Sequence, residues 1–470
     1  MMKEMSRYLC AAVLLAGALS GAEFRVSDFG ARGDGVTVNT AAIQKALDAA
    51  AAARGTVVLA PGVYLTGALF LKSGSHLRID SGVELRGVQI ISAYPEMPTR
   101  IAGVEMTWPT ALLNVYRQDH VRISGKGIVD GNGKAFWDLY WKMRKEEYEP
   151  KGVRWAVDYD CRRPRLIQVF DSHDVDLEDL TLQRSGFWTV HVCYSRRVKV
   201  SGISIRNNIG GHGPSTDGID IDSSSEVLVE RCDIDCNDDA ICLKAGRDAD
   251  GLRVNRPTEK VRVRDCTVRG GAAGITIGSE TSGGIRDIDA AGIRVLTGVP
   301  NGILFKSAST RGGLMERISV KDMVMEGVGA AFAVALNWNP SYSYAKLPAD
   351  TRNVPSYWRT LAEPVPPEKG LPRFQNVRIS DIRATGGQRA FAVSSYPEAP
   401  LRNFHFEDID IEAKSAGSIQ HAEDWTFVTT RIRTQDGSRV VIQDSRAVKG
   451  LDEAMPSPRQ SLCGEPRGGY

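Results

Sequence analysis

Three aspartates carry the strongest chemical signal in this 470-residue sequence: Asp217 in Ser215-Thr216-Asp217-Gly218, and the adjacent pair Asp238-Asp239 after Asn237. Crowded carboxylates do not all ionise, because each negative charge raises the pKa of its neighbours. Such a group keeps a proton on one member while another stays ionised, which is what general acid–base hydrolysis requires. Asp217 and Asp238 lie 21 residues apart. They reach one face only if the chain passes over itself at about that interval. Aspartate is also a common turn residue, and by type alone the three side chains remain open to that reading.

The chain does return on itself. A pattern of apolar, any, apolar, two residues, apolar, any, apolar starts at Val175, Val198, Val227, Val261, Ile288, Ile318, Val377 and Phe404. The steps are 23, 29, 34, 27, 30, 59 and 27 residues. Period-two alternation predicts short half-buried strands, and the two-residue offset predicts a corner. Equivalent strands recurring at this period predict coils of a solenoid that stack their apolar positions on one another, in preference to a β-sandwich or propeller. The 59-residue step fits a coil carrying an inserted loop at about 338–374, rich in Pro, Tyr and Trp, and a second insertion spans about 131–163. Cys232 and Cys266 share a repeat position, which predicts a buried thiol stack in preference to a disulfide. A solenoid needs capped ends. Thr40–Ala53 is an Ala-rich helical segment with Ile43, Ala46, Leu47 and Ala50 on one face, with Gly55 as its stop.

Composition narrows the partners. With 59 basic and 57 acidic residues and no long basic run, nothing favours a nucleic-acid surface. Lys3 and Arg7 precede an apolar run from Leu9 to Leu19 and a small-residue site at Ser20-Gly21-Ala22. Residues 1–22 are therefore expected to be a cleaved signal peptide and the mature chain to be secreted or periplasmic. No other stretch is apolar enough to span a membrane. Eight scattered Cys with no paired Cys-x-x-Cys spacing predict neither a disulfide framework nor a structural zinc site. No metal or cofactor is expected, and a monomer is. The region 23–446 is read as one domain and 447–470 as a polar tail.

Asp28-Phe29-Gly30-Ala31-Arg32-Gly33-Asp34-Gly35 and Pro61-Gly62-Val63-Tyr64-Leu65 resemble the opening of pectin-degrading β-helix enzymes. Arg163-Pro164-Arg165-Leu166-Ile167, Phe187-Trp188-Thr189-Val190-His191, the three aspartates in their motifs, Gly278-Ser279-Glu280 and Lys306 narrow this to a resemblance to glycoside hydrolase family 28, the polygalacturonases. The resemblance covers about residues 24–440. It implies a right-handed parallel β-helix, hydrolysis with inversion, and a galacturonate-containing pectic substrate. It makes Asp238 the general acid, with Asp217 and Asp239 positioning and deprotonating the attacking water. Inverting hydrolysis expects acid and base about 6.5–9.5 Å apart. Lys306 is expected to hold a substrate carboxylate and His191 to contact substrate.

Three departures from the family pattern matter. Its Gly-His-Gly is replaced by Ala272-Ala273-Gly274, its Arg-any-Lys by Leu304-Phe305-Lys306, and the Asn of Asn-Thr-Asp by Ser215. A Gly211-His212-Gly213 precedes Asp217; its spelling is read as coincidence, with His212 kept as a candidate sugar contact. Leu in place of Arg offers no bidentate partner for a uronate and suits the methyl group of rhamnose, so a galacturonate–rhamnose linkage is the favoured bond, with homogalacturonan as the alternative. The insertions could close one end of the groove and enforce exo attack. In the second, Trp338, Tyr342 and Tyr344 are candidates for stacking on sugar faces or for packing the loop. A pectate lyase of the same fold and a non-catalytic carbohydrate-binding β-helix are the rival readings.

Overall fold

The computed structural model describes residues 21–451. Most of the expected signal peptide and the end of the tail lie outside these residues. The repeat positions stack in register as a right-handed parallel β-helix. Val175 pairs with Val198, then follow Val227, Val261, Ile288, Ile318, Val377 and Phe404, each beside its predecessor. Every one is buried. Fully burying an aliphatic side chain stabilises by about 1.5–3 kcal/mol, and four such positions recur per coil. Because Ile318 sits directly against Val377, the 59-residue step is one coil bearing an insertion.

The corner has a conformational signature. The second residue of the two-residue offset is left-handed in every copy: Asp179, Gly202, Arg231, Asp265, Gly292, Asp322, Asp381 and Asp408 have φ between 51° and 70°. Aspartate and glycine tolerate this region better than most residues, which explains why they dominate the position. Cys232 and Cys266 are buried free thiols at the next position.

The helix Thr40–Ala53 caps the first coil and buries Ile43, Ala46, Leu47 and Ala50. Its left-handed terminator is Arg54, at φ 50°, and not Gly55. A Cβ at Gly55 would meet the Ala22 carbonyl oxygen at 2.4 Å, so glycine is needed there for close approach. At the other end the strand Arg446–Lys449 still pairs with Ala422–Thr434, which carries regular structure past the boundary at 446. Among the described residues no helix is long and apolar enough to cross a membrane.

Three inserted segments cover the outward face of one sheet. The first is an antiparallel hairpin, Glu96–Ile101 with Val104–Pro109, which the repeat pattern did not reveal. The second carries the helix Lys134–Met143 and short turns to Asp160. The third carries the short helices Pro340–Ser343, Ser356–Leu361 and Pro367–Gly370. Val104, Trp108, Trp155, Tyr159 and Leu361 share an apolar cluster, so the three insertions are packed together as one cover.

Candidate active site

The strands Ile167–Phe170, Val190–Cys193, Ile219–Asp222, Ile241–Lys244, Ala273–Ile277 and Asn301–Lys306 lie side by side beneath this cover. Alternate residues point outward, so Gln168, His191, Asp220, Cys242, Thr276 and Leu304 form a row in register. In an open sheet such a row would be wet; here all six are buried. Its polar half underlies the aspartates.

Asp217, Asp238 and Asp239 come together, with one oxygen of each within 4.8 Å of the others. That is tighter than the separation expected of an inverting pair. Asp239 is saturated: Lys306 Nζ donates to both its oxygens at 3.0 and 2.7 Å, Thr276 to Oδ1 at 3.0 Å, and the Cys242 thiol to Oδ2 at 3.3 Å. Burial pushes its pKa up, but the Lys306 and Lys244 charges overcome this and hold it below the usual carboxylate range. Asp238 is half-buried and accepts the Asp239 backbone N–H at 3.0 Å. Burial and the Asp239 charge raise its pKa. Asp217 is 3% exposed, and its Oδ1 has no partner. Burial and the Asp220 and Asp238 charges push it well up. Asp239 is thus held ionised beside two carboxylates whose pKa values are raised.

Lys244 is the hub that the sequence reading missed. Its Nζ lies 3.3 Å from Glu280, 3.4 Å from Asp217 and Asp220, and 3.8 Å from Asp239, over the Trp188 ring at 4.8 Å. Burial opposes its charge, yet the surrounding anions, Glu280, Asp220 and Asp217 among them, keep it protonated. Its place two residues after the outward Cys242 was the available signal. Asp220, three residues after Asp217, was missed in the same way.

Asp220 carries a prediction. Burial lifts its pKa to about 8, with Lys244 only partly opposing. The unfolded value is about 3.9, so between those limits the native state binds a proton that the unfolded state lacks, and stability falls as pH rises from about 4 to about 8. Asp220→Asn removes this slope. Thermal melts at pH 5 and pH 8 are expected to show the variant gaining on wild type at the higher pH; parallel shifts at both would refute it.

These groups floor a cavity of about 110 Å³, walled by Ala102, Arg154, Asp158, Trp338, Asn339 and Tyr342 from the insertions. Trp338 and Tyr342 therefore line the cavity, the former over Lys306 Nζ at 4.7 Å and the latter donating to Glu280 at 3.1 Å. Tyr344 does not line it; its hydroxyl bonds Asn337 and Tyr396 and packs the loop. His191 and His212 also lie off the cavity lining. His191 is fully buried. Arg165 donates to its Nδ1 at 2.7 Å, its Nε2 faces Asp222 at 3.5 Å, and burial lowers its pKa to about 4, so it is neutral framework. His212 is exposed, and only its carbonyl is engaged, by Trp141. The burial of His191 corrects the expectation that it contacts substrate, while His212 is an exposed side chain outside the cavity.

Among the described residues, two groups have ligand atoms close enough to consider for a cation: the three aspartates, and His191, Cys193 and Asp222. Lys306 and Lys244 already neutralise the first. Arg165 and Arg100 are knitted into the second.

The missing His and Arg are one structural feature. Ala273 and Leu304 pack together with Ala330 and Ala333 as a small apolar cluster, and Leu304 is only 2% exposed. The two positions where the family pattern predicts an imidazole and a guanidinium thus form one sealed apolar contact. Leu304 therefore presents no apolar surface to a bound sugar.

The model of "Glycosyl hydrolases family 28" matches residues 53–346. The chain is 29% identical to a probable polygalacturonase from Vitis vinifera over 82% of this chain and 73% of that one. It is 26% identical to an exo-poly-alpha-D-galacturonosidase from Dickeya chrysanthemi over 88% and 74%. The solved exopolygalacturonase of Thermotoga maritima superposes with a TM-score of 0.70 at 25% identity, covering 90% of this chain and 92% of that one. With the matched region spanning the whole carboxylate cluster and more than half of the chain, the chain belongs to glycosyl hydrolases family 28 and is a glycosidase.

Proposed function

We propose that the protein is an exo-acting hydrolase that releases terminal galacturonate from homogalacturonan, with inversion. The observation that carries this reading is the small walled cavity above the three aspartates. It is well below the roughly 300–1,000 Å³ of sites that enclose a drug-sized ligand, and so suits a chain end better than a chain in passage. The names of the relatives from Vitis vinifera, Dickeya chrysanthemi and Thermotoga maritima support the polymer. The rhamnose reading loses its support, because it required Leu304 to face the sugar.

Asp238, on the cavity side and with a raised pKa, gives its proton to the glycosidic oxygen as the bond to the anomeric carbon breaks. A water bonded to the unpartnered Oδ1 of Asp217 attacks that carbon from the opposite face and gives its proton to Asp217, which is ionised in the state where Asp238 carries the proton. The compact spacing is near the roughly 5–5.5 Å of retaining enzymes. Inversion is nevertheless preferred, because it is what the resemblance to family 28 implies, and the anomer of the first product tests it. The signal-like residues 1–22 support a site of action outside the cytoplasm, where a polymer is met.

The experiment is product analysis on polygalacturonate and rhamnogalacturonan in parallel, with proton NMR of the first-formed anomer. Saturated galacturonate monomer released from polygalacturonate as the β-anomer is expected. Products released only from rhamnogalacturonan, internal cuts, ultraviolet-absorbing unsaturated products, or the α-anomer would each overturn the corresponding part.

A further inference from the structure

A galacturonate entering this cavity brings a negative charge toward a floor made of carboxylates. Its own carboxylate must turn to a cation that is not already spent. Lys306 is committed to both oxygens of Asp239. Lys244 is shared among Asp217, Asp220, Asp239 and Glu280. The family's Arg position is Leu304, sealed under alanines.

One cavity-lining cation remains. Arg154, from the second insertion, has a side chain 13% exposed. Its guanidinium makes a single hydrogen bond among the described residues, from Nη1 to Asp158 at 2.7 Å, and its buried Nε has no partner. Asp158 cannot neutralise it fully, because Arg163 approaches the same carboxylate at 3.4 Å. The Tyr342 ring lies 5.6 Å from the guanidinium, and Ser215 Oγ donates to Asp158 at 3.1 Å. The group is therefore fixed in place with donors to spare, on a wall that carries excess positive charge. A guanidinium offers paired donors that match a carboxylate.

We infer that Arg154 is the specificity-determining residue that binds the carboxylate of the galacturonate in the cavity, replacing the arginine lost at position 304. Ser215, where the family has Asn, serves this arrangement by anchoring Asp158. The inference rests on the proposed galacturonate hydrolysis and adds to it which residue reads the uronate.

The test compares trigalacturonate with its fully methyl-esterified form, using wild type, Arg154→Gln and Arg154→Lys, with thermal melts to verify folding. Wild type is expected to prefer the free acid. In Arg154→Gln, kcat/KM on the free acid falls on the order of 10- to 100-fold, the range of a charge-assisted hydrogen bond, while the ester rate stays within about threefold; Arg154→Lys falls between. The change in preference isolates the coupling between this side chain and the substrate charge, which a merely structural role would not move. If Arg154→Gln does not fold, a narrowed preference in Arg154→Lys supports the inference and an unchanged one overturns it. Equal losses on both substrates, or an undiminished preference, overturn it while leaving the proposed function standing. A wild type inactive on both overturns the two together.

Discussion

Asp238→Asn is expected to lower kcat on polygalacturonate by about 10²- to 10⁴-fold, the usual contribution of a general acid, without loss of the fold. The amide has the same shape and its oxygen still accepts the Asp239 backbone N–H, so the local geometry survives. It removes a group that could ionise beside Asp239, so the melting temperature should hold or rise. The proton that Asp238 keeps is supplied by burial and by the Asp239 charge beside it; an amide has none to give. Reducing-end release and a thermal melt check both halves. Activity within about tenfold of wild type would remove Asp238 from the acid role and return attention to Asp217, whose pKa is also raised.

Lys244→Met is the second large effect, and it acts on stability as well as rate. The ammonium is 5% exposed and lies within 3.8 Å of four carboxylates. Removing one side of a buried ionic cluster typically costs about 3–5 kcal/mol, since the remaining charges are left uncompensated. The loss should depend on pH with a definite sign. Without the ammonium, the folded-state pKa values of Asp217 and Asp220 rise still further above the unfolded value of about 3.9. A raised folded pKa contributes stability that is present at low pH and lost as pH climbs. The variant should therefore be far less stable than wild type at pH 8 and approach it near pH 4.5, where the carboxylates can protonate. Melts across that range decide the matter; a deficit equal at every pH would mean that Lys244 acts by packing over Trp188 and not by charge.

The aspartate triad was legible in the sequence because its spacing is tied to the coil. Asp217 precedes the strand Ile219–Asp222 by two residues, and Asp239 precedes Ile241–Lys244 by two, so strand stacking superposes them without further information. Lys244 was legible in principle by alternation from Cys242, yet a lone lysine in a strand has no distinctive spelling. The contacts first expected of His191 and Leu304 equated outward-facing in a strand with open to substrate, whereas both side chains are buried, Leu304 against its neighbouring alanines.

The sequence by itself determined the solenoid, its helical cap and the three aspartates, since all follow from patterns that repeat every two residues along a strand or once per coil. Only the tertiary structure decided that segments near residues 102, 154 and 338 close over one cavity, that Arg154 stands where a cation is unspent, and that Ala273 and Leu304 seal one another. Those contacts join positions tens to hundreds of residues apart in irregular segments. Their placement is set by apolar packing among insertions, which leaves no period in the sequence to read.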